Sequence, residues 1–213
     1  KSHKLAVLTS KLKLPYSSNF ECYLKEVWND LINRRRKNIN DPLYIKNMQN
    51  IPGLTKLIFS KYYSLPGIIG DRLFRVFDSK NKGIIEYNEF KIGMVALFCG
   101  DYEKTLRFIF DFYDFDGNGN ISKEDVKVVL LYVIFSNKNL NKNFNNNDDI
   151  VINNNTYDNQ LNDMLNICFS KKDKAINFTT FTNIIENVNS DIYFMTYIFL
   201  LKQRPFSFKS IEL

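Results

Sequence analysis

Apolar residues recur at three- and four-residue steps along most of this chain. Phe20, Tyr23, Leu24, Val27, Trp28, Leu31 and Ile32 predict an amphipathic helix over residues 20–36. A second helix is expected over 54–63. A third, over 68–77, carries its stripe on Ile69, Leu73, Phe74 and Phe77. Further helices are expected over 87–98, 102–113 and 126–135, and the period resumes over 161–169, 178–188 and 192–201. Between them, residues 38–52 are polar and hold Pro42 and Pro52, and Leu65, Pro66 and Gly67 signal a turn. Residues 137–159 are Asn-rich and of low complexity, and read as a flexible insertion between helices. With only 8 Gly and 5 Pro, the chain predicts an all-α fold.

Composition narrows the classes. A chain of 213 residues, 45% hydrophobic and 15% aromatic, can bury a sizeable core. The formal net charge of +6 is spread out, apart from Arg34, Arg35, Arg36 and Lys37. That cluster has no aromatic signature beside it, so it reads as a solvated helix end and nucleic acid is not expected as a partner. Cys22, Cys99 and Cys168 are odd in number and scattered, which fits reduced thiols in a cytoplasmic protein and neither a zinc site nor a disulfide framework. His3 is the single histidine. With no nucleophile–histidine pair and no phosphate-cradling glycine loop, no enzyme activity is expected of this chain. The apolar run over 192–201 is too short to span a bilayer, no secretory signal is seen at the start, and a first residue Lys1 suggests a fragment of a longer protein.

The densest chemistry lies in DFYDFDGNGNISKEDV, residues 111–126. A twelve-residue calcium loop takes oxygen ligands at positions 1, 3, 5, 7, 9 and 12 and a glycine at 6. With Asp114 at position 1, those positions hold Asp116, Asn118, Asn120, Ser122 and Asp125, and Gly119 falls at 6. Asn120 needs to give only its backbone carbonyl. Ile121, at position 8, points away and is expected to pair with a partner loop in a short two-stranded ladder. Ca2+ is the expected ion. Asp125 is one methylene shorter than the usual Glu, so it is expected to give one oxygen, which brings Mg2+ into contention.

A second stretch, VFDSKNKGIIEYNEF, keeps the same skeleton. Asp78 stands at position 1, Gly83 at 6, Ile85 at 8 and Glu89 at 12, but positions 3 and 5 are Lys80 and Lys82. Ammonium groups there repel a divalent cation, so the 78–89 loop is expected to keep its shape without an ion. The two loops start 36 residues apart (114 − 78), an internal repeat that implies stacked helix–loop–helix units. FSKKDKAINFTT, residues 169–180, places Ile176 at position 8 but Phe169 and Thr180 at 1 and 12, a degenerate partner for the 114–125 loop. Residues 38–52 are then the remnant of the first unit.

Over residues 74–133 the chain resembles the neuronal-calcium-sensor and calcineurin-B-like branch of the EF-hand superfamily. RLFRVFDSKNKGIIEYNEFKIGM is similar to the second hand of that branch. CGDYEKTLRFIFDFYDFDGNGNISKEDVKVVL is similar to the third, with Gly100, Glu103 and Lys104 in the connection. The resemblance implies two lobes of paired hands, a hydrophobic groove and a bound target helix. The expected organisation is an extension over 1–19, an N-terminal lobe over 20–100, a C-terminal lobe over 101–189, and a last helix and tail over 190–213. Residues 192–201 read equally as a last core helix or as a plug for the groove. The expected function is a calcium-binding regulatory or sensor module that binds a partner helix or an adjoining domain. The competing reading is a constitutive scaffold, or the regulatory domain of a larger kinase, phosphatase or ubiquitin hydrolase, in which one ion is structural. At most a weak membrane association is expected beside the protein partner.

Overall fold

The computed structural model describes residues 16–37, 53–63, 65, 67–99, 102–141, 159, 161–163, 165–166, 169 and 174–187. Their elements run α1 Ser18–Lys37, β1 Leu54–Thr55, α2 Lys56–Tyr63, α3 Gly67–Phe77, β2 Ile84–Ile85, α4 Tyr87–Phe98, α5 Tyr102–Tyr113, β3 Asn120–Ser122, α6 Lys123–Asn141, β4 Ala175–Asn177 and α7 Phe178–Asn187. The fold is helical, with two short antiparallel ladders, β1–β2 and β3–β4. The chain divides into two compact units at Phe108 and Ile109, inside α5.

In the unit before that division, Ser17 Oγ accepts the Phe20 N–H at 3.3 Å and caps α1. Most of the predicted stripe is buried: Phe20, Leu24, Val27 and Leu31 are at most 1% exposed, while Trp28 and Ile32 are half-buried. Their period places them on one face, and that face packs on α2 and α4. Phe59 of α2 stacks against Tyr63, Phe74 and Phe77, with ring centroids 4.5–5.7 Å apart. Burial of each such ring stabilises by roughly 1.5–3 kcal/mol. Helices α3 and α4 approach closely at Gly93, where a Cβ would lie 2.5 Å from the Phe77 ring. The ladder pairs Leu54 with Ile85, and both are fully buried.

In the unit after it, Ile121 pairs with Ile176 across β3–β4. Phe110 of α5 meets Phe178 and Phe181 of α7 edge-on at 5.3 and 5.6 Å. Ile109, Phe112, Val129 and Leu130 are fully buried.

Two expectations need correction. Leu54 and Thr55 are strand, not the start of a helix, because Leu54 is the ladder residue opposite Ile85. The strand of the first hand thus lies just past residues 38–52. Helix α6 begins at Lys123 and runs to Asn141, well beyond the predicted 126–135 and into the Asn-rich segment. Its first turn is polar and held by a cap, which an apolar periodicity does not register. Residues 142–158, most of that segment, lie outside the described residues. So do 1–15, 38–52 and the predicted last helix and tail over 190–213.

Candidate metal centre

Helix α5 ends at Tyr113, and the next backbone N–H, that of Asp114, still donates to Phe110 O at 3.0 Å. This places the Asp114 carboxylate, 4% exposed, at the start of the turn that follows. Its Oδ1 accepts the N–H groups of Gly117 and Asn118 at 2.9 and 3.1 Å, and its Oδ2 that of Gly119 at 2.9 Å. One carboxylate thus curls five residues around itself. The curl needs positive φ at Gly117 (73°) and Gly119 (82°), a region that side chains other than Asn or Asp rarely enter. Asp116 accepts the Asn118 N–H at 3.1 Å and its side-chain amide at 2.6 Å. Asn118 Oδ1 in turn accepts the Asn120 N–H at 2.8 Å.

The exit is a capping box. Asp125 Oδ2 accepts the Ser122 N–H at 2.8 Å and the Ser122 hydroxyl at 2.7 Å, and Ser122 Oγ accepts the Asp125 N–H at 3.2 Å. Positions 9 and 12 therefore start α6 as well as supplying oxygens. Asp125 spends one carboxylate oxygen on the cap, and among the described residues the other accepts no hydrogen bond. Ile121, fully buried, fixes the loop to β4.

All six predicted residues lie along this one loop, and each is hydrogen-bonded to others within it. Among the described residues no three acidic, Cys or His side chains are gathered into a ready cluster. The reason is visible in the bonds: Asp116 is turned onto Asn118, and Asp125 onto Ser122. The donor set nonetheless fits a hard divalent cation, because every donor is oxygen and three are carboxylates. Binding would exchange the Asp116–Asn118 side-chain bond for coordination, while the Asp125 cap can stay in place.

The 78–89 loop has the same frame. Asp78, 4% exposed, accepts the Lys82 and Gly83 N–H groups at 2.9 and 2.7 Å. Asn81 (φ 52°) and Gly83 (φ 75°) take the two positive-φ places. Glu89 spans the loop: Oε1 accepts the Ser79 hydroxyl at 3.0 Å and the Lys80 N–H at 3.1 Å, while Oε2 accepts the Glu86 N–H at 3.0 Å. Lys80 and Lys82 both donate to the Glu86 carboxylate, whose pKa they pull down to about 2. In the fourth loop Phe169 stands where an aspartate would begin the turn, 2% exposed, with Lys123 Nζ 5.6 Å over its ring. Asn177 Oδ1 caps α7 by accepting the Thr180 N–H at 2.9 Å.

Sequence reasoning missed three of these features. Position 4 needs positive φ in both loops, for which the signal was Asn81 opposite Gly117. Position 9 caps the exiting helix in three loops, through Glu86, Ser122 and Asn177. Glu86 is the common acceptor of both loop lysines, a pairing set by loop curvature rather than by helical spacing.

Helix–loop–helix units joined through a short antiparallel ladder are the architecture of EF-hand proteins, and this chain has it. Within them it resembles the neuronal-calcium-sensor and calcineurin-B-like branch, most strongly over residues 74–133. It is 37% identical over 60 residues to the calcium-binding protein NCSA of Dictyostelium discoideum, covering 28% of this chain and 32% of that protein. It is 32% identical over 84 residues to calcineurin B of Candida glabrata, covering 37% and 47%. It is 33% identical over 119 residues to a recoverin family protein of Dictyostelium discoideum, covering 54% and 50%. The matches thus span no more than half the length of these relatives. No family model matches the chain. No helix among the described residues is long and apolar enough to cross a membrane.

Proposed function

We propose that this chain is a calcium-binding EF-hand regulatory module with one divalent site, held by Asp114, Asp116, Asn118, the Asn120 carbonyl, Ser122 and Asp125. The observation that carries it is the oxygen-lined loop curled on Asp114 and pinned by Ile121 to its partner strand. A relative named for calcium binding supports the ion. The single uncommitted oxygen of Asp125 supports one-oxygen coordination there, so Mg2+ competes. The site lies in a C-terminal lobe over 101–189, and an N-terminal lobe over 20–100 contributes an ion-free hand. The partner is a protein segment, an amphipathic helix or an adjoining domain, bound in a hydrophobic groove. That calcineurin B is named as part of a larger assembly supports such a role. That Cys22 and Cys99 form no disulfide among the described residues supports a cytoplasmic setting. No catalytic role is assigned to the chain. Titration calorimetry with Ca2+ tests the site: one binding event per chain is expected, and two of similar affinity would rule the reading out.

A second reading has its own support, the 78–89 loop closed by Glu89 and Asp78 with no ion ligands at positions 3 and 5. In it the chain is a constitutive scaffold, or the regulatory domain of a larger enzyme, and its one ion is structural. Hydrophobic-dye binding with and without Ca2+ separates the two. A sensor exposes more apolar surface when loaded, and a scaffold does not change.

A further inference from the structure

The 78–89 loop holds a charge arrangement that the loss of an ion does not by itself explain. Lys80 Nζ donates to Glu86 Oε2 at 2.8 Å, and Lys82 Nζ donates to Glu86 Oε1. These are positions 3, 5 and 9, three of the places from which a working loop aims oxygens at its ion. Here two are cations and one is the anion that receives both. The carboxylates at positions 1 and 12, Asp78 and Glu89, are meanwhile satisfied by N–H and O–H groups of the loop.

We propose that Lys80 and Lys82 act as built-in cations that, with Glu86, close the 78–89 loop and hold its hand in one ion-independent state. Mere loss of an ion would be met by any neutral residue at positions 3 and 5, or by lysines turned into solvent. Instead both ammoniums converge on the residue that precedes α4, so the charge pairs tie the middle of the loop to its exit. The low pKa of Glu86 and the raised pKa of Lys80 agree with this pairing. The lysine side chains are 52% and 42% exposed, so each pair is weak alone and their joint effect is local closure.

The test is amide hydrogen exchange on the full chain in chelator, read at the Lys80, Lys82 and Gly83 N–H groups, with the amides of α4 as internal reference. In the native chain these rates should not change when Ca2+ is added. Glu86→Gln, and separately Lys80→Gln with Lys82→Gln, should each speed loop exchange about three- to tenfold relative to α4. The combined variant should be no faster than either, because all three side chains form one unit. Lys80→Arg with Lys82→Arg keeps the charge and should keep the native rates. Unchanged exchange in either neutralised variant, additive effects in the combination, or equal acceleration by the arginine pair would each overturn the proposal. If a neutralised variant loses its fold and α4 accelerates with the loop, the arginine pair decides alone: native rates support the built-in cations, and acceleration overturns them.

Discussion

The 78–89 and 114–125 loops share a backbone and differ in charge. In both, a buried aspartate gathers the N–H groups ahead of it, positive φ falls at positions 4 and 6, and an isoleucine enters a ladder. At positions 3 and 5 one loop carries Asp116 and Asn118, and the other Lys80 and Lys82. The difference teaches that shape and ion competence reside in separate residues. Positions 1, 6 and 8 make the turn, whereas 3 and 5 decide what charge fills it.

The largest expected effect comes from removing the residue that turns each loop. Asp114→Ala leaves the N–H groups of Gly117, Asn118 and Gly119 without their acceptor, at about 1–3 kcal/mol for each one that water does not reach. Divalent affinity should fall by at least about 100-fold in calorimetry. Asp78→Ala should lower the melting temperature but leave the calorimetric stoichiometry untouched. A change in stoichiometry on Asp78→Ala would break the separation of shape from ion binding.

Next in size are the ladder residues. Ile85→Ala and Ile121→Ala each empty a fully buried site and should cost about 2–5 kcal/mol in chelator, measured by denaturant unfolding. Only Ile121→Ala should also weaken the ion, since Ile121 and not Ile85 lies in the ladder that joins the 114–125 loop to β4. Equal loss of affinity in both variants would mean that the two ladders do not act separately.

Both ladders and both frames were legible in the sequence to different depths. Ile121 opposite Ile176 followed from the position-8 rule, and the helices over 87–98 and 102–113 from their apolar period. Leu54 was misread because a strand of two residues has no period of its own; its role is set by Ile85, about 30 residues away. The start of α6 was misread because Lys123, Glu124 and Asp125 are polar, and it is the Ser122–Asp125 cap that fixes the boundary. The sequence shows that the loop lysines repel an ion, but their common acceptor depends on how the backbone curls, which spacing alone does not give.

A smaller effect is expected from exchanging the position-12 residues. Glu89 is long enough to serve its cap with one oxygen and cross the loop with the other, and Asp125 is not. Asp125→Glu should therefore raise Ca2+ affinity, by roughly tenfold if a second ligand oxygen is gained, and should raise selectivity over Mg2+. The reverse change, Glu89→Asp, should lose the bonds to Ser79 and the Lys80 N–H and destabilise by about 1–3 kcal/mol. Competition titrations with both ions, beside melts of the Glu89 variant, check the pair. Unchanged selectivity in Asp125→Glu would show that side-chain length is not what limits the site.

The smallest effect, and the one that isolates charge from shape, is the pH dependence of Glu86. Its carboxyl is lowered from 4.5 to about 2 by the Lys80 and Lys82 ammoniums. A carboxyl whose folded pKa lies below its unfolded value contributes stability at pH above the unfolded value. That contribution fades as pH falls from about 4.5 and is gone below about 2. Because the group is exposed, screening keeps the contribution small, and added salt should reduce it further. Acid also protonates the aspartates of the 114–125 loop, so the native melt alone mixes the two loops. Subtracting the melt of Glu86→Gln from that of the native chain cancels the titration of the other acidic groups and leaves the contribution of Glu86. The difference in melting temperature should be level near neutral pH, shrink as pH falls from about 4.5 toward 2, and be smaller throughout at high salt. A difference that stays constant across that range would mean that Glu86 contributes through its hydrogen bonds and not its charge. The two loops would then differ in ligand chemistry only, with no cation built into either.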